Sequence, residues 1–98
     1  MNWNAVYAES AAADLLRLPV PLQSMTLDHV DKLSESPSTH ARVCPANMGP
    51  PNHMLSEFSH VLDGRLHLVR ILFRFDSNEQ DFHIKGIGHV AYKRADEA

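Results

Sequence analysis

The stretch "LVRILFRFDSNEQDFHIKGIGHV", residues 68–90, indicates two β-strands joined by a polar turn. In the first strand every second residue is apolar, namely Val69, Ile71, Phe73 and Phe75. In the second strand the apolar positions are Phe82, Ile84 and Val90. Pairing Phe75 with Phe82 in an antiparallel hairpin brings both apolar sets onto one face. The sequence therefore predicts a hairpin that turns one face towards the core.

The other face of this hairpin carries the basic residues of the stretch. In the predicted register its neighbouring pairs are Arg74 with His83, Leu72 with Lys85, Arg70 with Ile87, and Leu68 with His89. Because two helices can cover only one side of such a sheet, we expect these side chains to form a mixed cationic and apolar groove on the opposite side.

The chain before the hairpin contains a predicted strand and two predicted helices. "WNAVY", residues 3–7, alternates loosely and is rich in aromatic and β-branched residues, which favours a short strand. "AESAAADLLRL", residues 8–18, favours a helix that stops before Pro19. Residues 20–37 place apolar side chains at spacings of three and four, which predicts a second, amphipathic helix antiparallel to the first. The expected fold class is α+β, with a two-helix hairpin packed on one face of a small, antiparallel-rich sheet.

A segment dense in Pro, Gly, Ser and Asn separates the helices from the hairpin. Residues 34–53 show no periodicity, so we expect a long loop there. Residues 54–62, "MLSEFSHVL", fit either a strand or one helical turn. A chain of 98 residues, 44% of them hydrophobic, lies in the usual range for one globular domain, and we expect residues 1–98 to form one.

The charge and cysteine content restrict the function further. The formal net charge is -3, which argues against a generally basic nucleic-acid binder, although residues 64–98 carry one more basic than acidic side chain. Cys44 is alone and cannot form an internal disulfide, and the chain starts with neither a basic leader nor a signal-like apolar segment. No apolar run approaches the roughly 18 residues of a membrane span. We therefore expect a cytoplasmic protein without a membrane role.

Basic and imidazole side chains on one strand face suit phosphodiester chemistry. Arginine and lysine bind phosphate and stabilise the charge of its transition state, and histidine moves protons near neutral pH. A metal-free ribonuclease would use such a set, with the 2′-hydroxyl of the RNA as nucleophile. The alternative is an ordinary polar, solvent-facing side of an antiparallel sheet. The seven histidines do not follow the spacing of a compact zinc site, so we predict neither a metal nor a cofactor.

Four segments together resemble a known family. "YAESAAADLLRL" is similar to a strand-to-helix entry, "LDHVDKLSESP" to the end of a second helix, "LVRILFRFD" to an arginine-bearing central strand, and "IGHVAY" to a final-strand motif. In this order and spacing they resemble the RelE/ParE superfamily of bacterial toxin-antitoxin and plasmid-stabilisation proteins. The resemblance covers most of the chain and implies the fold of that superfamily.

The resemblance also implies a function with open alternatives. Members related to RelE cleave messenger RNA on the ribosome, ParE-like members inhibit DNA gyrase without nuclease chemistry, and both kinds are usually neutralised by an antitoxin protein. This chain would then be a growth-inhibiting toxin of a type II toxin-antitoxin system. It would act as a ribosome-dependent messenger-RNA endoribonuclease or as a ParE-like protein-binding toxin. A repurposed, non-toxic member of the superfamily is the third alternative.

The resemblance assigns roles to individual residues. Arg70 matches the arginine of the central strand, His89 matches the final-strand histidine, and Tyr92 is the terminal tyrosine. The candidate catalytic residues are Arg70, Arg74, His89 and Tyr92. The candidate RNA- or partner-binding residues are His83, Lys85, Lys93 and Arg94. Under the nuclease hypothesis the two arginines hold phosphate and transition-state charge, a histidine is the general base, and Tyr92 or Lys85 is the acid or a stacking group.

Overall fold

The computed structural model describes residues 3–37, 39–76 and 79–93. Its elements in chain order are β1 (Asn4–Tyr7), α1 (Glu9–Arg17), α2 (Val20–Glu35), β2 (Arg42–Val43), β3 (Met54–Leu62), β4 (Arg65–Asp76) and β5 (Asp81–Ala91). The five strands form one sheet in the order β1-β5-β4-β3-β2. β1 is parallel to β5, and the other neighbouring strands are antiparallel. The predicted α+β class, with two helices on an antiparallel-rich sheet, is confirmed.

Both helices pack on the same face of the sheet, which we call the helix face. α2 begins after Pro19 and buries Leu22, Thr26, Val30 and Leu33 at spacings of three and four. α1 buries Ala11, whose small side chain allows the helix to approach the sheet closely. These residues join a core that includes Val69, Ile71, Phe73, Phe82 and Ile84 from the strands. The opposite face of the sheet, which carries Arg70, Leu72 and Arg74, is called the outer face.

α1 also protects the edge of β5 where β1 ends. β1 pairs only with the first four residues of β5, from Asp81 to Ile84. Beyond them, the Ser10 hydroxyl donates to the carbonyl of Lys85 at 3.1 Å, and Oδ2 of Asp14 accepts from the backbone N–H of Ile87 at 3.1 Å. Side chains of α1 thus satisfy backbone groups that would otherwise lie unpaired at a strand edge.

The segment between α2 and β4 contains the strands β2 and β3. α2 extends to Glu35, and the short strand β2 lies inside the expected loop of residues 34–53, so that loop is not structureless. β2 pairs with β3 through Arg42 opposite Leu55 and Val43 opposite Met54. Residues 54–62, for which a strand and a helical turn were both open, form β3.

The register between β4 and β5 changes at Lys85. Near the turn, Phe75 is opposite Phe82 and Arg74 is opposite His83, as predicted. Beyond that point Phe73 is opposite Ile84 but Leu72 is opposite Gly86, which leaves Lys85 as an extra residue in β5. The predicted pairs Leu72 with Lys85, Arg70 with Ile87 and Leu68 with His89 are therefore wrong. Since side chains alternate along a strand, the extra residue reverses the facing of everything after it.

Candidate functional site

The extra residue Lys85 forms a β-bulge, which divides the predicted cationic residues between the two faces of the sheet. Arg70, Arg74 and His83 lie on the outer face, as predicted. His89 is instead opposite Val69, a fully buried residue of the helix face. Ile87 likewise turns into the core, and Gly86 and Gly88 take its place on the outer face opposite Leu72 and Arg70. The expected convergence of all five basic side chains does not occur.

Three charged residues form an ion-pair cluster at the centre of the outer face. Nε of Arg70 donates to Oε2 of Glu57 at 2.9 Å, and a terminal nitrogen of Arg42 donates to Oε1 of the same carboxylate at 2.7 Å. The backbone explains the arrangement, because Arg70 is the register partner of Glu57 and Arg42 is the register partner of Leu55, two residues earlier on β3. The cluster carries a net charge of one positive unit.

The two arginines fix the protonation state of the carboxylate between them. The hydrogen bonds from Arg42 and then from Arg70 lower the pKa of Glu57 below its ordinary value of 4.5, against a smaller opposing effect of burial. Glu57 is therefore ionised at neutral pH and is a weak base.

A groove of about 340 Å³ lies beside this cluster. Its lining residues are Asn47, Met48, Leu55, Arg70, Leu72, Gly86 and Gly88. The two glycines have no side chains to fill it, so a ligand can approach the backbone of β5 next to the guanidinium of Arg70. A second depression of about 230 Å³ is lined by His40, Ala41, Arg42, Leu55 and Glu57. Leu55 lines both depressions, and the ion-pair cluster contributes Arg70 to the first and Arg42 and Glu57 to the second.

Arg74 and His83 lie further along the outer face, near the β4 to β5 turn. They are register partners, and Arg74 is exposed. Nε2 of His83 is buried and has no hydrogen-bond partner among the described residues, so proton transfer through that atom requires the ring to turn. Arg74 is four positions after Arg70 on β4, which corresponds to roughly 13 Å along the strand. The two arginines can therefore contact different phosphates of one extended strand.

His89 is paired with another histidine on the helix face. Nδ1 of His67 lies 2.9 Å from Nε2 of His89, and the two rings are parallel within 3°. Burial and then the neighbouring His67 lower the pKa of His89 below its ordinary value of 6.5. His89 is therefore neutral near pH 7, and the sheet separates it from Arg70.

Tyr92 belongs to an apolar patch on the outer face, at the far end of the sheet. Its backbone N–H donates to the carbonyl of Leu66 at 2.9 Å, which continues the pairing of β5 with β4. Val90 is opposite Leu68, and Val61 is opposite Leu66. Four side chains of this patch are exposed: Val61, Leu66, Val90 and Tyr92. Lys93 is exposed next to them, and Arg94 lies outside the described residues.

Comparisons with known proteins identify the fold. No protein-family model and no curated protein matches the sequence. A chain in the crystal structure of the toxin-antitoxin complex RelBE2 from Mycobacterium tuberculosis matches this structure with a TM-score of 0.72. The match covers 92% of this chain and 93% of that chain, at 16% sequence identity. This protein therefore shares its fold with a chain of that toxin-antitoxin complex. At this identity the similarity establishes the fold and leaves the site to be argued from this chain's own residues.

Two residues of the outer face were not identified from the sequence. Glu57 and Arg42 lie in segments that the sequence left as an ambiguous strand and a loop. The available signal was the position of Glu57 in "LSEFS", where strand alternation places it on the same face as Leu55. Without the pairing of β3 with β4, nothing in the sequence connects Glu57 to Arg70.

Among the described residues, no group of three or more His, Cys, Asp or Glu side chains has a geometry that could hold a metal ion. Within the same residues, neither helix has the length and apolarity needed to cross a membrane.

Proposed function

We propose that this chain is the toxin component of a type II toxin-antitoxin pair and that an antitoxin protein neutralises it in the cytoplasm. The proposal rests on the RelE-like fold, which extends over nearly the whole chain and which is shared with a chain of a toxin-antitoxin complex. Expression of the chain in bacteria is then expected to arrest growth. A folded, well-expressed chain that leaves growth unchanged would instead favour the repurposed, non-toxic alternative.

Within this proposal, the toxin acts on messenger RNA through its outer face. The observation that carries this step is the groove in which the Arg70 guanidinium lies beside the bare backbone of Gly86 and Gly88. A phosphate can reach such a position without meeting a side chain, and arginine binds phosphate with strong, charge-assisted hydrogen bonds. Arg74, about 13 Å away along the strand, would hold a second phosphate of the same RNA.

The proposed reaction is a metal-free cleavage in which the 2′-oxygen of the RNA loses its proton and bonds to the adjacent phosphorus. The bond from phosphorus to the 5′-oxygen breaks, and that oxygen takes up a proton, which leaves a 2′,3′-cyclic phosphate and a 5′-hydroxyl. Arg70 and Arg74 stabilise the phosphate charge, and His83 on the same face moves a proton. Lys85 and Lys93 add positive charge along the path of the RNA. His89 lies on the helix face against His67 and therefore does not act as a base next to Arg70. Tyr92 offers a ring for base stacking.

Primer extension on a messenger RNA translated in a purified bacterial system tests this proposal. Discrete cuts that require translating ribosomes, and that disappear in Arg70→Ala, would support it. Arg17→Ala is the matched control, because Arg17 is an exposed arginine on α1 with one surface ion pair to Asp14. Cuts that persist in folded Arg70→Ala would remove Arg70 from the site.

A second candidate function is inhibition of a partner protein such as DNA gyrase. The observation that favours it is the exposed apolar patch of Val61, Leu66, Val90 and Tyr92, which would suit a protein partner better than RNA. This candidate predicts growth arrest without cuts in messenger RNA. It also predicts that Val90→Ser, but not Arg70→Ala, relieves the arrest.

A further inference from the structure

Arg42 and Arg70 resemble an anion-binding site in which the bound anion is the carboxylate of Glu57. Each arginine contacts a different oxygen of the same carboxylate. Both arginines nevertheless remain accessible, with 55% of the Arg42 side chain and 41% of the Arg70 side chain exposed, against 24% for Glu57. Each guanidinium has five N–H donors, so the carboxylate leaves most of them free for solvent or a ligand.

We propose that Arg42 and Arg70 form a phosphate-binding seat for single-stranded RNA, and that the carboxylate of Glu57 occupies this seat until a phosphodiester displaces it. The inference rests on the proposed function in that it takes RNA as the ligand of the outer face. It goes beyond that function by adding Arg42 as a second phosphate ligand and by making Glu57 a competitor of the RNA.

The chemistry of the two anions makes the exchange reasonable. A phosphodiester, like a carboxylate, presents two oxygens that share one negative charge, and guanidinium groups bind both in the same forked geometry. Arg42 is held by β2 and Arg70 by β4, so the seat persists when the Glu57 side chain turns away from the strand between them. The hydrogen bonds from both arginines hold the pKa of Glu57 low, so the competing charge is fully present at neutral pH.

The shape of the outer face favours an extended polymer over a small anion. The two depressions share Leu55 as a lining residue, and Arg70 lines the first while Arg42 and Glu57 line the second. A single strand that crosses from one to the other passes directly over the seat. Free phosphate would use the same arginines but would gain nothing from the depressions, so it should bind much more weakly.

Fluorescence anisotropy with a labelled 2′-O-methyl RNA of about 12 nucleotides tests the proposal, because this RNA has no free 2′-hydroxyl and is not cut. Glu57→Gln raises the net charge of the cluster from one positive unit to two. We expect it to bind the RNA about fivefold more tightly than the wild type.

The control for the charge change is Glu35→Gln, which removes an exposed carboxylate at the end of α2 and should leave RNA binding unchanged. The double variant Arg42→Ala with Glu57→Gln should lose the gain, which a double-mutant cycle would report as coupling between these residues. Competition with inorganic phosphate in place of unlabelled RNA distinguishes a general anion site from an RNA site. Circular dichroism checks that each variant is folded.

Equal or weaker RNA binding by folded Glu57→Gln would overturn the proposal, because Glu57 would then orient Arg70 rather than compete with the ligand. A gain of the same size in Glu35→Gln would also overturn it, since net charge alone would explain the effect. Neither result bears on growth arrest or on cuts that depend on Arg70. The proposed function can therefore stand when this inference fails.

Discussion

Arg70 on β4 and Glu57 on β3 are register partners on the outer face, and the arginine Nε donates to the carboxylate at 2.9 Å. Because Arg42 donates to the other oxygen, one carboxylate holds two cations that belong to different strands. The ion pairs of Glu57 thus link the loop that carries β2 to the centre of the sheet. Their contribution to stability should depend on pH through Glu57.

We predict that Glu57→Gln lowers the free energy of unfolding by about 0.5 to 1 kcal/mol at neutral pH, since both ion pairs are partly exposed to solvent. The pKa of Glu57 is lower in the folded chain than its ordinary value of 4.5. The stability it contributes is therefore complete above about pH 4.5 and is lost as the pH falls through the lower folded value. Urea unfolding of both proteins between about pH 7 and about pH 3 should show the difference shrinking with acid. A difference that does not change with pH would contradict this origin.

Ser56 connects α2, the following loop and β3 through a buried hydroxyl. The hydroxyl donates to the carbonyl of His40 at 2.6 Å and lies 2.6 Å from Nε2 of His29, which therefore acts as the donor to it. Burial, and then the charges of His40 and Lys32, lower the pKa of His29 below 6.5, consistent with a neutral ring.

Ser56→Ala should therefore lower the free energy of unfolding by about 1 to 3 kcal/mol, because it removes two hydrogen bonds, one from His29 and one to the carbonyl of His40. Urea unfolding near neutral pH measures the change. Ser59→Ala, an exposed serine on the same strand, is the matched control and should change little. Comparable losses in the two variants would show that the hydrogen-bonded arrangement is not what stabilises this region.

The register error shows how far the sequence could predict the site. Residues near the turn pair as expected, because the apolar alternation of both strands is unbroken there. Beyond Ile84 the apolar positions of β5 change from even to odd at Ile87, which is the signature of an inserted residue. Treating Ile87 as part of the polar face kept a single register and placed His89 beside Leu68. The bulge at Lys85 instead places His89 on the helix face.

The segment from 54 to 62 could not be assigned from its own residues for a different reason. Both faces of β3 mix polar and apolar side chains, so the strand period of two is not visible in its hydrophobicity. Its conformation depends on pairing with β4 along its whole length. The contact between Glu57 and Arg70 depends on that pairing and was therefore outside the reach of local sequence patterns.

Asp14 should protect a single backbone amide at the edge of β5. Its carboxylate accepts from the N–H of Ile87, while Arg17 contacts the other oxygen of the same carboxylate. Asp14→Ala is expected to expose the Ile87 amide and to accelerate its hydrogen exchange, with little effect on amides that pair with β4. Arg17→Ala keeps the hydrogen bond to Ile87 and serves as the control. Unchanged exchange at Ile87 in folded Asp14→Ala would show that α1 covers this edge without the carboxylate.

Two glycines next to the groove should respond differently to an added methyl group. A Cβ at Gly49 would lie 2.9 Å from Sγ of the buried Cys44 and 3.3 Å from Cδ1 of Leu72, whereas a Cβ at Gly88 would find its nearest neighbour, Cβ of Arg70, at 3.9 Å. The first distance requires the packing to shift, and the second is an ordinary van der Waals contact.

We therefore predict that Gly49→Ala lowers the free energy of unfolding by about 1 to 3 kcal/mol, as overpacked sites do. Gly88→Ala should stay within about 0.5 kcal/mol of the wild type. Because Gly88 is one of the two glycines that leave the backbone of β5 bare in the groove beside Arg70, Gly88→Ala should nevertheless weaken binding of the labelled RNA. Equal stability of the two variants would mean that Gly49 is not packed against Cys44 and Leu72 in solution.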